Sequence, residues 1–426
     1  MNRYKLTISC IQILSVVLLC TGCGGGGDAD SGSFSINGSS TSNSANSLVT
    51  VTGTVNGLTT GQQVTLLNNG SDSQTITSSG DGSFSFPTQL SPGSAFDVTV
   101  GTQPISQVCS VSNSTGQATA SSVIRVSVSC SEITYAVSTI VPSIGKTSGL
   151  AIDSDSNIYV SQYSTGSLMV NQYTIDGAFK NNIAFSNSGF IPPPIAFGLA
   201  IDSQNTLFVV APSKSILAMT QAGDQRTVPT KLPDYCTKAI SDKEGNILFV
   251  GCSTSSPIYR LSPDGVLSSF SSTSQLTDVI TSITVDNLGN FFVTSGNQVL
   301  KLVFDGSSFT TSPFAGSQAP GFSDGTGSQA SFNYAVSVAA DKKGNLFVFD
   351  AGNFRIRKIT PFGVVTTVAG TGSNASIDGP GATASFTSCS KTASGNYCGV
   401  AVDKSGNIIV LQSTGTVSSI RKLTPI

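Results

Sequence analysis

Six aspartates recur at the same place in six short segments, and they are the residues most able to form a charged site. The segments turn at sequences close to D-x-x-G-N, and the aspartates are Asp153, Asp202, Asp242, Asp286, Asp341 and Asp403. A ring of such carboxylates could attract cations. In a turn, however, Asp and Asn bond their own backbone, and Gly supplies a positive φ. We therefore predict that these aspartates shape turns.

A second candidate is the D-x-x-N-x-R motif formed by Asp350, Asn353 and Arg355. Arg355 opens the densest basic cluster of the chain, which continues with Arg357 and Lys358. Guanidinium groups bind phosphate and other anions through charge-assisted hydrogen bonds. The motif is therefore a candidate contact for an anion or a partner.

The composition excludes several functions. The chain has 426 residues and no His, which removes the commonest general base, the commonest zinc ligand and the Ser-His nucleophile pair. Charged residues make up 10% of the chain and the net charge is -2, whereas a nucleic-acid-binding surface needs a basic stripe. We predict no catalytic residue, no metal, no cofactor and no nucleic-acid partner.

Short strands must carry these residues. Apolar and polar residues alternate over stretches such as Ile158-Tyr159-Val160, and no apolar helical period extends beyond a few turns. The chain is therefore predicted to be all-β. The six aspartates follow one another at intervals from 40 residues (202 to 242) to 62 residues (341 to 403). Each interval reads as four strands, which is typical of the blades of a β-propeller.

The last repeat supports a closed ring. It ends at SSIRKLTPI without a fourth strand, whereas the repeat before it continues into one. The segment ITYAVSTI at 133–140 stands alone before the first repeat and has the pattern of the missing strand. Pairing the two removes an exposed outer edge. We predict a six-bladed propeller over residues 133–426.

The fifth repeat carries a family resemblance. The stretch GFSDGTGSQASFNYAVSVAADKKGNLFVFDAGNFRIRKITPFGVVTTVAG resembles an NHL repeat with its preceding loop, and the loop signature DGxGxxASF recurs at 378–386. The resemblance implies an NHL-type propeller in which the D-x-x-N-x-R motif ties the second strand of a blade to the third. It leaves the function open, because NHL propellers serve many functions.

The amino terminus reads as an export signal. A short basic start is followed by the apolar run Leu6–Cys20, which is too short to span a membrane comfortably. The junction Thr21-Gly22-Cys23 resembles a lipoprotein signal over residues 1–22, and this resemblance implies a lipid on Cys23. Residues 23–47 then form a Gly- and Ser-rich tether. We expect a protein anchored in the bacterial cell envelope, at the outer membrane in a Gram-negative cell.

Residues 48–131 read as seven short alternating strands, which fit an immunoglobulin-like sandwich. Six cysteines remain beyond the signal and Cys23, and an even number in an exported chain indicates disulfides. Proximity in sequence favours three local pairs among Cys109, Cys130, Cys236, Cys252, Cys389 and Cys398. The sandwich also resembles a module that precedes propellers in bacterial lipoproteins, and this resemblance implies a Cys109–Cys130 bond.

The third repeat gives a direct test of register. Its turn is centred between Asp242 and Asn246, whose index sum of 488 is also that of Cys236 and Cys252. Residues facing each other across a hairpin share one index sum, so these cysteines are predicted to pair. Cys389 and Cys398 both precede the sixth repeat and should also pair, which places two disulfides on one face.

We interpret the chain as a monomeric, non-enzymatic module whose propeller loops bind a protein or a glycan. One alternative is a metal-dependent lactonase or sugar-ester hydrolase of the gluconolactonase-like propeller type, which would need several Asp or Asn side chains in the central channel. The other alternative is a purely structural envelope protein.

Overall fold

The computed structural model describes most of the chain beyond the amino terminus. The described residues are 47–78, 82–120, 123–164, 167–185, 198–211, 213–252, 258–270, 278–304, 308–389, 391–392, 395–396, 398–413 and 417–426. The predicted signal, Cys23 and nearly all of the tether lie outside them. Among these residues, no helix is long and apolar enough to cross a membrane.

The first folded part is a β-sandwich. One sheet has the order β4-β1-β8-β6 and the other β3-β2-β5-β7. The strands are β1 Val51–Asn56, β2 Gln63–Asn68, β3 Asp72–Thr77, β4 Ser83–Ser85, β5 Ala95–Thr102, β6 Gln107–Ser112, β7 Thr115–Gln117 and β8 Ile124–Glu132. Alternation turns one face of each sheet inward, so that Val51, Leu66, Val98 and Val128 are buried together. The short β7 was not predicted.

Six antiparallel sheets follow in the described residues. In the first four, strands that are consecutive in the chain are neighbours, and the last two each also contain strands out of chain order. Sheet one contains β10 Thr147–Ile152, β11 Ile158–Ser164, β12 Ser167–Tyr173 and β13 Phe179–Ala184; sheet two β14 Leu199–Ile201, β15 Leu207–Val210, β16 Ser215–Met219 and β17 Gln225–Lys231; sheet three β18 Lys238–Ser241, β19 Ile247–Val250, β20 Ile258–Leu261 and β21 Leu267–Phe270; sheet four β22 Ile280–Val285, β23 Phe291–Ser295, β24 Gln298–Phe304 and β25 Phe309–Ala315.

The last two sheets are larger. Sheet five contains β26 Gly325–Thr326, β27 Ala335–Ala340, β28 Leu346–Asp350, β29 Arg355–Ile359 and β30 Val364–Ala369; sheet six contains β9 Tyr135–Ile144, β31 Gly379–Pro380, β34 Gly399–Val402, β35 Ile408–Ser413 and β36 Ser418–Pro425. The two-residue strands β32 Lys391–Thr392 and β33 Gly395–Asn396 lie between β31 and β34 in the chain, and single-turn 3-10 helices occur at Gly327–Gln329 and Ala351–Asn353.

The innermost strands of the six sheets surround one axis, and they are β10, β14, β18, β22, β27 and β34. Each contacts the innermost strand of the next sheet, and β34 contacts β10. The second strands, such as β15, β19 and β35, are buried along their whole length between neighbouring sheets. This explains why they read as continuous apolar runs in the sequence. The arrangement is β-propeller-like.

The predicted closing strand is present. β9 pairs antiparallel with β36, with Leu423 opposite Val137 and Pro425 opposite Tyr135. Residues 133–140 therefore supply the strand that the last repeat lacks, and the strand itself continues to Ile144.

The sandwich and sheet five also touch. Lys358 Nζ donates a hydrogen bond to the Ser106 carbonyl, and Asn345 Nδ2 donates one to the Ile105 carbonyl. Both bonds are 3.4 Å long. Burial lowers the pKa of Lys358 to about 8.

Candidate functional site

The six turn aspartates are occupied by their own turns. In the third repeat, Asp242 Oδ1 accepts bonds from the backbone N–H groups of Glu244 (3.0 Å) and Asn246 (2.8 Å), and Oδ2 accepts from Asn246 Nδ2 (2.7 Å). The other five aspartates accept the same two backbone bonds, although Asp202 has Thr206 where the others have Asn. These carboxylates close hairpins.

The D-x-x-N-x-R motif ties adjacent strands together, but the arginine that pairs with Asp350 is Arg357 and not Arg355. Asp350 is fully buried, and its Oδ2 accepts bonds from Asn353 Nδ2 and Arg357 Nη1, both 2.8 Å away. Arg355 instead donates to the Thr371 carbonyl and stacks on the Phe322 ring, 4.0 Å from its centre. Asp350 and Asn353 thus bond to each other within the fold, and the contact of Asp350, Asn353 and Arg355 with an anion or a partner stays a prediction.

The repeated signature DGxGxxASF forms a clasp around a buried arginine. In sheet five, Arg357 Nη2 lies 2.6 Å from Asp324, the first residue of the signature, and its guanidinium lies 5.1 Å from the centre of the Phe332 ring, the last. In sheet six, Arg421 contacts Asp378 over 2.7 Å and Phe386 over 5.2 Å in the same way. Sequence reasoning found the signature but not the arginines that it serves.

The aspartate of each signature also holds an outer strand. Asp378 accepts bonds from the backbone N–H and hydroxyl of Thr139 in β9, both at 2.9 Å. Asp324 accepts the equivalent bonds from Thr367 in β30, at 3.1 and 3.2 Å. Burial raises the pKa of Asp378, but the bonds from Thr139 and Arg421 outweigh this and hold the pKa below its usual value.

All three predicted disulfides are present. Cys109 and Cys130 are directly opposite each other in β6 and β8. Cys236 and Cys252 pair across the first hairpin of sheet three, where Lys238 opposite Val250 confirms the predicted register. Cys389 pairs with Cys398 just before β34. The last two bonds lie just before β18 and β34, two of the innermost strands. These strands begin at one end of the channel that the innermost strands enclose, and we call this end the braced mouth.

The inner strands enclose a central channel of about 320 Å³. The residues that line it are mostly Leu, Ile, Val and Ala and come from all six inner strands, and its surface is about equally polar and apolar. Some hydroxyls on the wall bond to a neighbouring strand: Ser337 Oγ accepts from the Val400 N–H at 3.0 Å, and Thr284 Oγ1 from the Ala340 N–H at 3.0 Å. Within the described chain, the lining contains no carboxylate and no amide side chain.

Lys238 is the one ionisable side chain among the residues that line the described channel. It opens β18 in sheet three, and its Nζ donates to the Cys398 carbonyl at 2.9 Å. Cys398 precedes the inner strand of sheet six, which lies opposite sheet three in a ring of six sheets. The side chain therefore crosses the braced mouth and links its two disulfides. Burial lowers the pKa of Lys238 to about 8.

The sequence carried a signal for Lys238 that our reasoning missed. The first residue of the repeated segment is Gly149, Gly198, Ser282, Ser337 or Gly399 in the other five repeats. At Gly198 an added Cβ would lie 3.1 Å from the Lys238 carbonyl carbon, and at Gly399 3.1 Å from Leu150 Cβ. Small residues are therefore favoured where inner strands meet, and one long cation at that position stands out.

No group of three or more His, Cys, Asp or Glu residues that could hold a metal occurs among the described residues. The gluconolactonase-like alternative requires Asp or Asn side chains in the channel, and the described lining supplies none.

Comparisons with known proteins support the fold. No protein-family model matches the chain. No curated protein matches it in sequence. A protein of unknown function from Bacteroides thetaiotaomicron VPI-5482 superposes with a TM-score of 0.57 at 16% identity, over 85% of this chain and 90% of that one.

Two further solved structures are auxiliary nutrient binding proteins. The one from Bacteroides thetaiotaomicron VPI-5482 has a TM-score of 0.53 at 12% identity, and the one from Bacteroides ovatus ATCC 8483 has 0.50 at 13%. Each match covers 85% of this chain, and 90% and 91% of the other chains, respectively. At these identities the likeness shows a shared fold.

Proposed function

We propose that this chain is an exported envelope lipoprotein whose six-bladed NHL-type propeller binds a protein or a glycan at the braced mouth. Cys23 carries the lipid, residues 23–47 form the tether, and the sandwich is an immunoglobulin-like spacer that lifts the propeller from the membrane. Mass spectrometry of the mature amino terminus tests the lipid, since Cys23 must then begin the chain and carry acyl mass.

One observation supports binding most strongly: two disulfides and the Lys238–Cys398 contact brace a single end of the channel. Loops held in one conformation before binding lose less conformational entropy when a partner docks. The names of the two auxiliary nutrient binding proteins fit a binding role, but their low identity carries only the fold. The proposal therefore rests on the braced mouth.

Removing the mouth disulfides tests the proposal. The full chain is screened on a glycan array and by crosslinking to an extract of the envelope of the bacterium that produces it. Changing Cys236, Cys252, Cys389 and Cys398 to Ser should weaken binding of any ligand found by about tenfold or more, because each loop must then be ordered on binding. Affinities measured by calorimetry provide the comparison.

The matched control removes the sandwich disulfide with Cys109→Ser and Cys130→Ser, which leaves the mouth intact. This variant should bind as the unchanged protein does. Equal affinity in the mouth variant and the unchanged protein would contradict the proposal, and so would the absence of any glycan or protein ligand in both screens.

A further inference from the structure

The central channel combines a partly apolar lining with a single positive charge. Leu150, Ile201 and Val402, which are only partly buried, contribute to its apolar part, and polar groups make up the rest. Lys238 brings an ammonium group to its mouth. No carboxylate contributes to the pKa of Lys238, whose lowering comes from burial alone. The charge is therefore held in the channel by the fold without a compensating anion from the described chain.

The ammonium has bonding capacity to spare. A protonated lysine has three N–H donors, and among the described residues one of them is used, by the Cys398 carbonyl. That carbonyl is neutral, so a carboxylate in its place would form a stronger, charge-assisted bond. Because the pKa remains near 8, Lys238 is mostly protonated at neutral pH.

We propose that the channel binds a small organic carboxylate, whose charged end accepts hydrogen bonds from Lys238 Nζ and whose apolar body packs against the channel walls. A single ammonium matches a monoanion, whereas sites for phosphate generally supply several donors or guanidinium groups. The volume of about 320 Å³ lies at the lower end of small-molecule sites. The site lies in the channel at the braced mouth, beside the loops that the proposed function assigns to a larger partner.

Paired probes isolate the charge. Phenylacetate and hexanoate are compared with phenylacetamide and hexanamide, which have nearly the same shape and no charge. Binding to the full chain is followed by ligand-observed NMR titration at pH 7. The carboxylates should bind about tenfold or more tightly than the amides, given the strength of hydrogen bonds to charged groups. Lys238→Met should abolish this difference.

Lys358→Met is the matched control, because Lys358 is also buried with a pKa lowered to about 8 but lies against the sandwich. It should keep the preference for carboxylates. The proposal is overturned if no carboxylate binds, if the amides bind equally well, if Lys238→Met keeps the preference, or if Lys358→Met loses it.

A second measurement needs no variant and so does not depend on how Lys238→Met folds. The unchanged protein is acetylated with an N-hydroxysuccinimide ester with and without phenylacetate, and the modified lysines are identified by mass spectrometry. Phenylacetate should protect Lys238 and leave the labelling of the exposed Lys243 unchanged. Equal labelling of Lys238 in both samples would overturn the site. A failed mouth-disulfide experiment would leave this result unaffected.

Discussion

Sheets five and six use the same clasp with different charges around it. In sheet five, Arg357 lies between Asp324 and Asp350, and both Arg357 and Asp350 are fully buried. In sheet six, Arg421 pairs with Asp378, whose side chain is about half exposed. The position equivalent to Asp350 is Gln412, whose Oε1 has no hydrogen-bond partner among the described residues.

The two clasps also hold strands that are connected to their sheets in different ways. β30 is joined to β29 by a tight turn in which the Thr360 carbonyl accepts the Gly363 N–H. β9 is the first strand of the ring in the sequence and β36 is the last, so only noncovalent contacts hold β9 against β36. The clasp carboxylates Asp324 and Asp378 are about equally exposed. Sheet five adds the buried Asp350 within the same repeat, whereas sheet six has no such second carboxylate and fastens a strand from elsewhere in the chain.

Removing the arginines should have the largest effect. Arg357→Met leaves the Asp350 carboxylate buried without its cation, so the free energy of unfolding should fall by about 3–5 kcal/mol. Arg421→Met should be milder, at about 1–3 kcal/mol, because Asp378 can be hydrated. Urea unfolding monitored by circular dichroism measures both. An equal or larger loss for Arg421→Met would refute the idea that buried charge makes sheet five the more sensitive of the two.

Removing each clasp aspartate should loosen a different outer strand, β9 in sheet six and β30 in sheet five. Asp378→Ala removes the bonds to Thr139 and Arg421 and should destabilise the protein by about 1–2 kcal/mol. Hydrogen exchange of the amides in β9 should accelerate, since this strand has no covalent link to β36. Asp324→Ala is the matched change in sheet five, and β30 should keep more protection because its turn still joins it to β29. Faster exchange in β30 than in β9 would reverse the comparison.

The smallest effect should appear in the pH dependence. Because the pKa of Asp378 is lowered in the folded state, its stabilisation is present above the ordinary value and is lost as the pH falls through the folded one. The stability difference between the unchanged protein and Asp378→Asn should therefore shrink between about pH 5 and pH 2. Burial raises the pKa of Asp350, so Asp350→Asn should show the opposite trend. If urea unfolding shows the same pH trend for both variants, the opposite pKa shifts of Asp378 and Asp350 are wrong.

Local patterns in the sequence predicted local structure well. The Cys236–Cys252 register followed from a hairpin whose turn residues were evident, and the six aspartates proved to shape turns as their spacing suggested. The missing strand of the last repeat identified β9 as its replacement. In each case, pairing rules for adjacent strands were sufficient.

Contacts between distant segments were harder to derive. Arg355 and Arg357 are two residues apart and point to the same face of β29, and the motif spacing does not say which of them reaches the buried Asp350. Lys238 meets Cys398 across the ring, 160 residues away in sequence, and no local pattern encodes that distance. The sequence did mark Lys238 as the exception at a Gly or Ser position, and comparing repeats position by position would have found it.

The position of β9 also sets an order of assembly. This strand is synthesised before every other strand of the ring, directly after β8, yet its partner β36 is nearly 300 residues later. Contacts of such long sequence separation form late because a large loop must close first. Until then, the inward-facing Val137 and Val141 and the unpaired backbone of β9 are exposed to other chains, a state prone to aggregation. The nascent protein would therefore depend most on chaperones during the interval between the emergence of β9 and that of β36.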